Sequence, residues 1–163
     1  MPIIGIETSC DETACGIVDS EGNILSNIIA SQIDTHAPYG GIIPELASRA
    51  HLINIHKVVS KAIIEANINL KDIKAISVTN GPGLAGSLLV GLNFAKAFSL
   101  SLDVPLIGVN HLEGHISACF IEEEKFNYKK NNIFPCISLI ISGGHTELVL
   151  MNNYGRNKLM CSH

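Results

Sequence analysis

Charge is scarce in this sequence. Charged residues make up only 16% of the 163 residues, whereas 47% are hydrophobic. The surface of a soluble domain is usually about a quarter charged or more, so some apolar surface is expected to meet another surface. The net charge of −4 excludes a strongly basic nucleic-acid footprint over the whole chain and leaves open only a local patch at Lys125, Lys129 and Lys130.

The sequence also lacks long apolar runs and closely paired cysteines. No uninterrupted apolar run reaches about 18 residues, and residues 1–7 contain no basic side chain. These absences argue against a membrane span and a signal peptide, and they predict a cytoplasmic protein. The five cysteines include no Cys-x-x-Cys pair, which favours reduced thiols over a disulfide frame or a zinc ribbon.

The apolar pattern predicts an α/β fold whose elements follow the order βββαβαβα. The predicted strands cover residues 2–8, 13–19, 23–32, 73–79 and 104–109, and the predicted helices cover 44–66, 86–102 and 111–124. A polar segment at 127–132 predicts a domain boundary after residue 126, so residues 1–126 form the first domain. Residues 127–151 are expected to open a second domain with a hairpin. Residues 152–163 have no apolar period and are expected to form an aberrant or truncated tail.

Two histidines at the start of the last predicted helix are candidate metal ligands. His111 and His115 stand four residues apart, so a helix places both imidazoles on one face, where they supply part of a metal shell. Glu113 points to nearly the opposite side, which disfavours the His-Glu-x-x-His arrangement of metalloproteases. A third protein ligand is needed, and nothing near the motif supplies an obvious one. Surface or capping roles are expected for His36, His51, His56 and His163.

Three strand ends combine turn-forming and polar residues, at positions 7–13, 80–83 and 142–146. Glycine and hydroxyl residues between strands let backbone N–H groups turn toward an anion, and Asp11 or Glu12 has the chemistry to hold a cation or position water. Each loop taken singly is more typical of a tight turn or a solvated acidic pair. Their joint occurrence favours a phosphate or sugar site.

A glycine pattern at 81–86 offers a competing interpretation. Gly-Pro-Gly-Leu-Ala-Gly satisfies the G-x-G-x-x-G pattern of dinucleotide-binding folds. In such folds an acidic residue ends the next strand and binds ribose, whereas here that strand ends in Val109, Asn110 and His111. The loop also lacks the Gly-Lys-Ser or Gly-Lys-Thr of a P-loop. What remains is a helix amino terminus that either faces an anion or packs closely, with close packing slightly favoured.

Five motifs in order resemble those of the bacterial and organellar type of the tRNA threonylcarbamoyladenosine transferase family, also called the universal glycoprotease-like family. They are Gly5-Ile-Glu-Thr-Ser-Cys-Asp-Glu-Thr13, Tyr39-Gly-Gly-Ile-Ile-Pro-Glu-Leu-Ala-Ser-Arg49, Gly81-Pro-Gly-Leu-Ala-Gly86, His111-Leu-Glu-Gly-His115 and Ser142-Gly-Gly-His-Thr146. The resemblance implies the actin-like ATPase fold of sugar kinases and Hsp70, a ribonuclease H-like architecture with two α/β domains around a cleft. The predicted βββαβαβα order is that of its first domain.

By that resemblance, the enzyme transfers a threonylcarbamoyl group from threonylcarbamoyl-adenylate to N6 of adenosine 37 in tRNAs that read codons beginning with adenine. His111 and His115 correspond to the family's ligands for one divalent metal ion, iron or alternatively zinc. Asp11 and Glu12 correspond to its acidic pair, and Asp11 is expected to orient the donor or the acceptor amine. The adenylate-binding loop corresponds to Ile140, Ile141, Ser142, Gly143, Gly144 and His145.

The resemblance also implies partners and a departure from the family. The partners are tRNA, an inactive paralogue of the same fold and a small P-loop ATPase in a bacterial-type complex, with no membrane. Family members are about twice as long, and their second half carries a third metal ligand, an aspartate. This chain is therefore expected to be an incomplete fragment that binds metal weakly and transfers nothing alone. The alternatives are a non-catalytic scaffold like the paralogue, which has no need of two aligned imidazoles, a metal-dependent endopeptidase and a small-molecule kinase.

Overall fold

The computed structural model describes residues 1–120, 134–142, 145–153 and 155–162, and in these ranges the side chains at 142, 145, 156, 157 and 162 are excepted. The chain divides into two compact units, Met1–His111 and Leu112–His163.

The first unit is built on a five-stranded sheet with the strand order β3-β2-β1-β4-β5. The strands are β1 (Ile3–Glu7), β2 (Glu12–Val18), β3 (Ile24–Ser31), β4 (Ala75–Gly81) and β5 (Leu106–Asn110). β2 pairs antiparallel with β1 and β3, whereas β4 pairs parallel with β1 and β5. The carboxyl ends of β1, β4 and β5 therefore lie at the same edge of the sheet, where ligands bind in open α/β sheets.

The helices of the chain are α1 (Ile33–His36), α2 (Pro44–Glu65), α3 (Ala85–Leu102) and α4 (His111–Ala118). α2 begins at Pro44. Proline is well tolerated at this position because the backbone N–H groups of the first turn have no intrahelical acceptor, so no hydrogen bond is lost. α2 packs against β2, β3 and α3, and α3 packs against β4. By length and composition α3 is apolar enough to cross a membrane, with a mean hydropathy of 1.3 over its 18 residues, of which 22% are buried.

Every second residue of the strands contributes to the core of the first unit. Ile4, Ile6, Cys15 and Ile17 on the two central strands are at most 3% exposed. Because successive side chains of a strand point to opposite faces, these residues lie on one face of the sheet. Buried residues of α2, such as Ile55, pack in the same cluster.

The second unit contains an antiparallel sheet in the order β6-β7-β8, with β6 (Cys136–Ser142), β7 (His145–Asn153) and β8 (Arg156–Ser162). Ile116 of α4 packs with Val149 and Met151 in a small apolar cluster. On β6, Ile137, Leu139 and Ile141 are 67%, 58% and 73% exposed. Alternate residues of this strand therefore present apolar side chains to solvent.

The predicted order of elements is confirmed as far as α4, with the single-turn α1 added before α2. Residues 152–163 differ from the sequence prediction, because β7 continues to Asn153 and β8 pairs with it where no regular element is predicted. α4 ends at Ala118, and the predicted continuation from residue 121 to 124 lies outside the described residues. The predicted boundary at 126 and 127 also lies outside them.

Candidate functional site

The carboxyl ends of three parallel neighbours, β1, β4 and β5, bring polar side chains together. Glu7 is the last residue of β1, Thr79 lies near the end of β4, and His111 follows β5 directly. The pattern of polar residues after buried strands therefore produces a shared site at this edge of the sheet.

The Glu7 carboxylate is the centre of this cluster. It accepts hydrogen bonds from the Ser9 backbone N–H and the Thr79 hydroxyl, and its Oε2 lies 3.3 Å from Nδ1 of His111. Burial alone would raise the pKa of Glu7, but the hydrogen bonds from Ser9 and Thr79 and the neighbouring His111 outweigh it and lower the pKa. Glu7 is therefore an ionised carboxylate at neutral pH.

His111 is oriented through one ring nitrogen. Its Nδ1 lies 3.1 Å from the Ser9 hydroxyl as well as beside Glu7, and its side chain is 26% exposed. A carboxylate beside Nδ1 favours the proton on that nitrogen, so the lone pair is on Nε2. Histidines that bind a metal are commonly held by a carboxylate on the other nitrogen in this way. This contact fits the predicted role of His111 as a metal ligand.

His115 lies on the same helix as His111, as the sequence predicts, and it is exposed. The spacing of four residues places the two rings on one helix face. Within the part of the chain that the structure describes, no group of three or more His, Cys, Asp or Glu side chains is placed to hold a metal ion. The residues present thus fit two ligands of a site, and the further ligands that zinc or iron requires must come from outside this set.

Asp11 lies between β1 and β2 and Glu12 is the first residue of β2, at the same edge of the sheet as Glu7. Asp11 is partly buried, and its carbonyl accepts a hydrogen bond from the Gln32 backbone N–H over 3.0 Å. Glu12 begins β2 and is exposed. The predicted acidic pair is thus on a turn that is fixed by its backbone, and its catalytic role stays a prediction.

The surface roles expected for His36 and His51 are wrong, because both side chains are buried. His51 is 0% exposed and His36 4% exposed. His51 Nε2 lies 3.0 Å from the Cys10 carbonyl, and the Thr13 hydroxyl lies 2.8 Å from Nδ1. His36 Nε2 lies 3.1 Å from Oε1 of Gln32. Both rings therefore belong to buried hydrogen-bond contacts next to the acidic turn.

Gly83 and Gly86 of the segment 81–86 pack closely against neighbouring residues, which is the interpretation that the sequence slightly favours. A Cβ on Gly83 would lie 2.6 Å from the Ser9 carbonyl oxygen and 2.7 Å from the Ser9 Cβ. The Leu84 backbone N–H donates to that same carbonyl over 2.8 Å. A Cβ on Gly86 would lie 2.5 Å from the Ser48 hydroxyl. The small residues thus let the start of α3 approach the turn after β1.

The predicted adenylate loop belongs to the second unit. Ile140 packs against the cluster of Ile116, Val149 and Met151, whereas Ile141 is 73% exposed. Gly143 and Gly144 lie outside the described residues, as do the side chains of Ser142 and His145. The assignment of these six residues to adenylate binding therefore stays a prediction.

Sequence reasoning assigns no role to Glu7 or to the contacts of His51. Glu7 has a recognisable signal, since an acidic residue that ends a buried strand needs a partner at the sheet edge. The His51 contacts have no such signal, because they join residues 19 to 41 positions apart.

Comparison with known proteins supplies the family. A family model described as tRNA N6-adenosine threonylcarbamoyltransferase matches residues 23–162, a range that includes β8. A protein of that name from Dehalococcoides mccartyi is 52% identical over 160 residues, which are 98% of this chain and 47% of the relative. One from Clostridioides difficile is 50% identical over 157 residues, 96% of this chain and 45% of the relative. The chain spans about half the length of the curated relatives it matches.

Solved structures confirm the fold. YeaZ from Pseudomonas aeruginosa matches with a TM-score of 0.60 at 13% identity, over 99% of this chain and 65% of that one. The ethanolamine utilization protein EutJ from Carboxydothermus hydrogenoformans matches with a TM-score of 0.54 at 12% identity, over 100% and 51%. Both have the actin-like ATPase fold that the sequence predicts. Given the match over residues 23–162, the chain belongs to the tRNA N6-adenosine threonylcarbamoyltransferase family.

Proposed function

We propose that this chain supplies the metal-binding part of an enzyme that transfers a threonylcarbamoyl group from threonylcarbamoyl-adenylate to N6 of adenosine 37 in tRNAs that read codons beginning with adenine. The observation that carries the proposal is the carboxylate-anchored imidazole of His111, in a chain 52% identical to a protein named for this transfer. The chain alone is inactive in this proposal, because it spans about half of the relatives' length and its described residues offer no group of three or more metal-ligating side chains.

The metal site is formed through His111 and His115, with iron or zinc as the ion. Glu7 holds His111 through Nδ1, which directs the Nε2 lone pair to the ion. A divalent ion held there supplies positive charge beside the phosphate or carboxyl group of the adenylate. The remaining ligands belong to the part of the enzyme outside this chain.

The acidic turn and the loop of the second unit act on the substrates. Asp11 orients the donor or the acceptor amine, with Glu12 beside it, and residues 140–145 bind the adenylate. The chemistry needs N6 held within reach of the carbamoyl carbon while charge on the carbamoyl oxygen is stabilised. Proximity and fixed electrostatics perform these tasks, and general-base help is minor.

A chimera tests this function. This chain replaces the matching part of the Dehalococcoides mccartyi relative, and the purified chimera is incubated with its partner proteins, threonylcarbamoyl-adenylate and tRNA. We expect modified adenosine 37 by mass spectrometry of digested tRNA, with loss of the product after His111→Ala and retention after His56→Ala. His56 is a suitable control because it is exposed on α2. A folded chimera that makes no product but activates the intact relative would instead support the scaffold alternative.

A further inference from the structure

A chain of buried hydrogen bonds links α2 to the acidic turn. Thr13 and His51 are 0% exposed, Gln32 is 2% exposed and His36 is 4% exposed. Thr13 belongs to β2, Gln32 follows β3, His36 ends α1 and His51 lies in α2. Three elements and the residue that follows β3 therefore place polar groups in one buried region.

The donors and acceptors of this region have one consistent order. The Ile43 backbone N–H lies 3.3 Å from Nδ1 of His36, whose Nε2 lies 3.1 Å from Oε1 of Gln32. The Gln32 amide nitrogen lies 3.3 Å from Nδ1 of His51. The carbonyl of Cys10 accepts only, so His51 Nε2 carries a proton and donates to it over 3.0 Å. Nδ1 of His51 then has a single lone pair, which accepts from the Thr13 hydroxyl over 2.8 Å, the shorter of its two contacts. The Gln32 amide also lies 3.4 Å from Nε2 and donates to the Ala47 carbonyl over 3.5 Å.

We propose that His51 is a positioning residue, which fixes the Cys10 carbonyl and thereby the conformation of the turn that carries Asp11 and Glu12. Through Gln32 and His36, the same contacts join this turn to the segment of residues 37–43. The part that Asp11 and Glu12 play in transfer rests on the proposed function, whereas the positioning itself does not.

Burial makes the arrangement specific. The Cys10 carbonyl accepts from His51 in a partly buried contact, and a carbonyl shielded from water that loses its donor costs free energy, so removal of the imidazole disfavours this conformation of the turn. The Gln32 backbone N–H also donates to the Asp11 carbonyl over 3.0 Å. The turn is therefore held by its backbone at two successive carbonyls, and the Asp11 side chain also interacts with the neighbouring Cys10 thiol.

Hydrogen exchange of the full chain tests the proposal with three variants. His51→Leu removes the ring's contacts with Cys10, Thr13 and Gln32. His51→Gln keeps an amide donor for the Cys10 carbonyl, and His56→Leu is the control on the exposed side of α2. In His51→Leu we expect exchange about tenfold faster in peptides spanning residues 9–13 and 36–43, with β4 unchanged. In His51→Gln most of the protection returns, and in His56→Leu nothing changes.

Equal exchange gains in β4 and in the turn would overturn the proposal, because His51 would then act only in core packing. The same holds if His51→Gln behaves like His51→Leu. Should His51→Leu fail to fold, Thr13→Val keeps the volume while removing one donor, and the same local pattern is expected at lower amplitude. Imidazole nitrogen NMR of the unchanged chain must also show His51 protonated on Nε2, and a ring protonated on Nδ1 would refute the order of bonds.

These measurements need no adenylate, tRNA or metal, so failure of positioning and failure of transfer are distinguishable. In the active chimera, His51→Leu is expected to lower the rate of transfer at saturating substrate and to leave the metal content unchanged. Loss of metal in that variant would contradict a role confined to the acidic turn.

Discussion

At the scale of single residues, the contact between Glu7 and His111 favours Nε2 as the ring nitrogen that would bind the metal ion in the proposed site. Glu7 Oε2 lies 3.3 Å from Nδ1, and the Ser9 hydroxyl lies 3.1 Å from the same atom. The sequence motifs assign no other role to this carboxylate. It lies at the end of β1, at the same edge of the sheet as the ends of β4 and β5. The ring of His111, which follows β5, is thus oriented by Glu7 of β1.

Replacement of Glu7 by glutamine should weaken metal binding without removing a ligand. The amide keeps the shape but loses the charge that favours the proton on Nδ1, and we expect about 10- to 100-fold lower affinity in the chimera. The measurement is a competition titration with a zinc chelator. Glu21→Gln, in an exposed turn, is the matched control and should leave the affinity unchanged. Equal affinities in wild type and Glu7→Gln would show that the carboxylate does not tune the site.

The buried imidazole of His51 makes stability depend on pH. Burial lowers the pKa of His51 from the ordinary histidine value of 6.5, against the opposing effects of the Cys10 carbonyl and the charges of Glu7 and Asp11. The unfolded chain therefore takes up a proton that the folded chain resists, so the contribution of His51 is fully present above about pH 6.5 and is lost as the pH falls toward the lower folded pKa.

We expect the free energy of unfolding in urea to fall more steeply below about pH 6.5 in the wild type than in His51→Gln. The comparison isolates His51, because the variant keeps the Cys10 donor and removes the titrating ring. Parallel pH profiles for the two proteins would count against a neutral buried imidazole.

At the scale of elements, the glycines at 81–86 allow α3 to lie close to the turn after β1. Gly83→Ala should destabilise the chain by about 1–3 kcal/mol, since the added methyl meets backbone and Cβ atoms of Ser9 that cannot move independently. Gly41→Ala is the control, because nothing lies within 4 Å of its added Cβ. Urea denaturation measures both. A neutral Gly83→Ala would mean that the two segments separate easily.

The sequence predicts the elements with strong patterns and misses those without. β1 to β5 are predicted because apolar residues such as Ile4, Ile6 and Ile76 recur between clear breaks. β8 is missed because it begins Arg-Asn-Lys and shows no alternation of apolar and polar residues. It pairs with β7 through backbone hydrogen bonds, which the local sequence does not indicate. A prediction from local sequence lacks the information on which neighbouring strand such a segment pairs with.

The candidate site shows the same division. His111 and His115 are predicted from a spacing of four residues, because one helical turn relates them. Glu7 lies 104 residues from His111 and Thr13 lies 38 residues from His51. Contacts of this range follow only from the parallel order of β1, β4 and β5 and from the packing of α2 on β2, which no motif in the chain encodes.

At the scale of the whole molecule, burial separates the cysteines into different chemical classes. Cys15 is 0% exposed, and burial raises the pKa of its thiol to about 12, whereas Cys119 and Cys161 are exposed. At about pH 8 we expect a thiol reagent to label Cys119 and Cys161 rapidly and Cys15 only after denaturation, as read by mass spectrometry. Labelling of native Cys15 at the rate of Cys119 would mean that the core opens readily.

The length of the chain bears on the metal site more than any single contact does. The chain spans 47% of the Dehalococcoides mccartyi relative, and its described residues contain no group of three or more His, Cys, Asp or Glu side chains placed to hold a metal ion. In our account the histidines are one part of a site that the complete enzyme finishes. The chimera is therefore the appropriate material for metal measurements.

Metal analysis of that chimera is the most direct test of this account. We predict one iron or zinc ion per polypeptide, with imidazole nitrogen among its ligands by X-ray absorption, and loss of the ion in His111→Ala and in His115→Ala. His56→Ala should retain it. An ion bound with unchanged stoichiometry and affinity in both ligand variants would contradict the assignment of the site to His111 and His115.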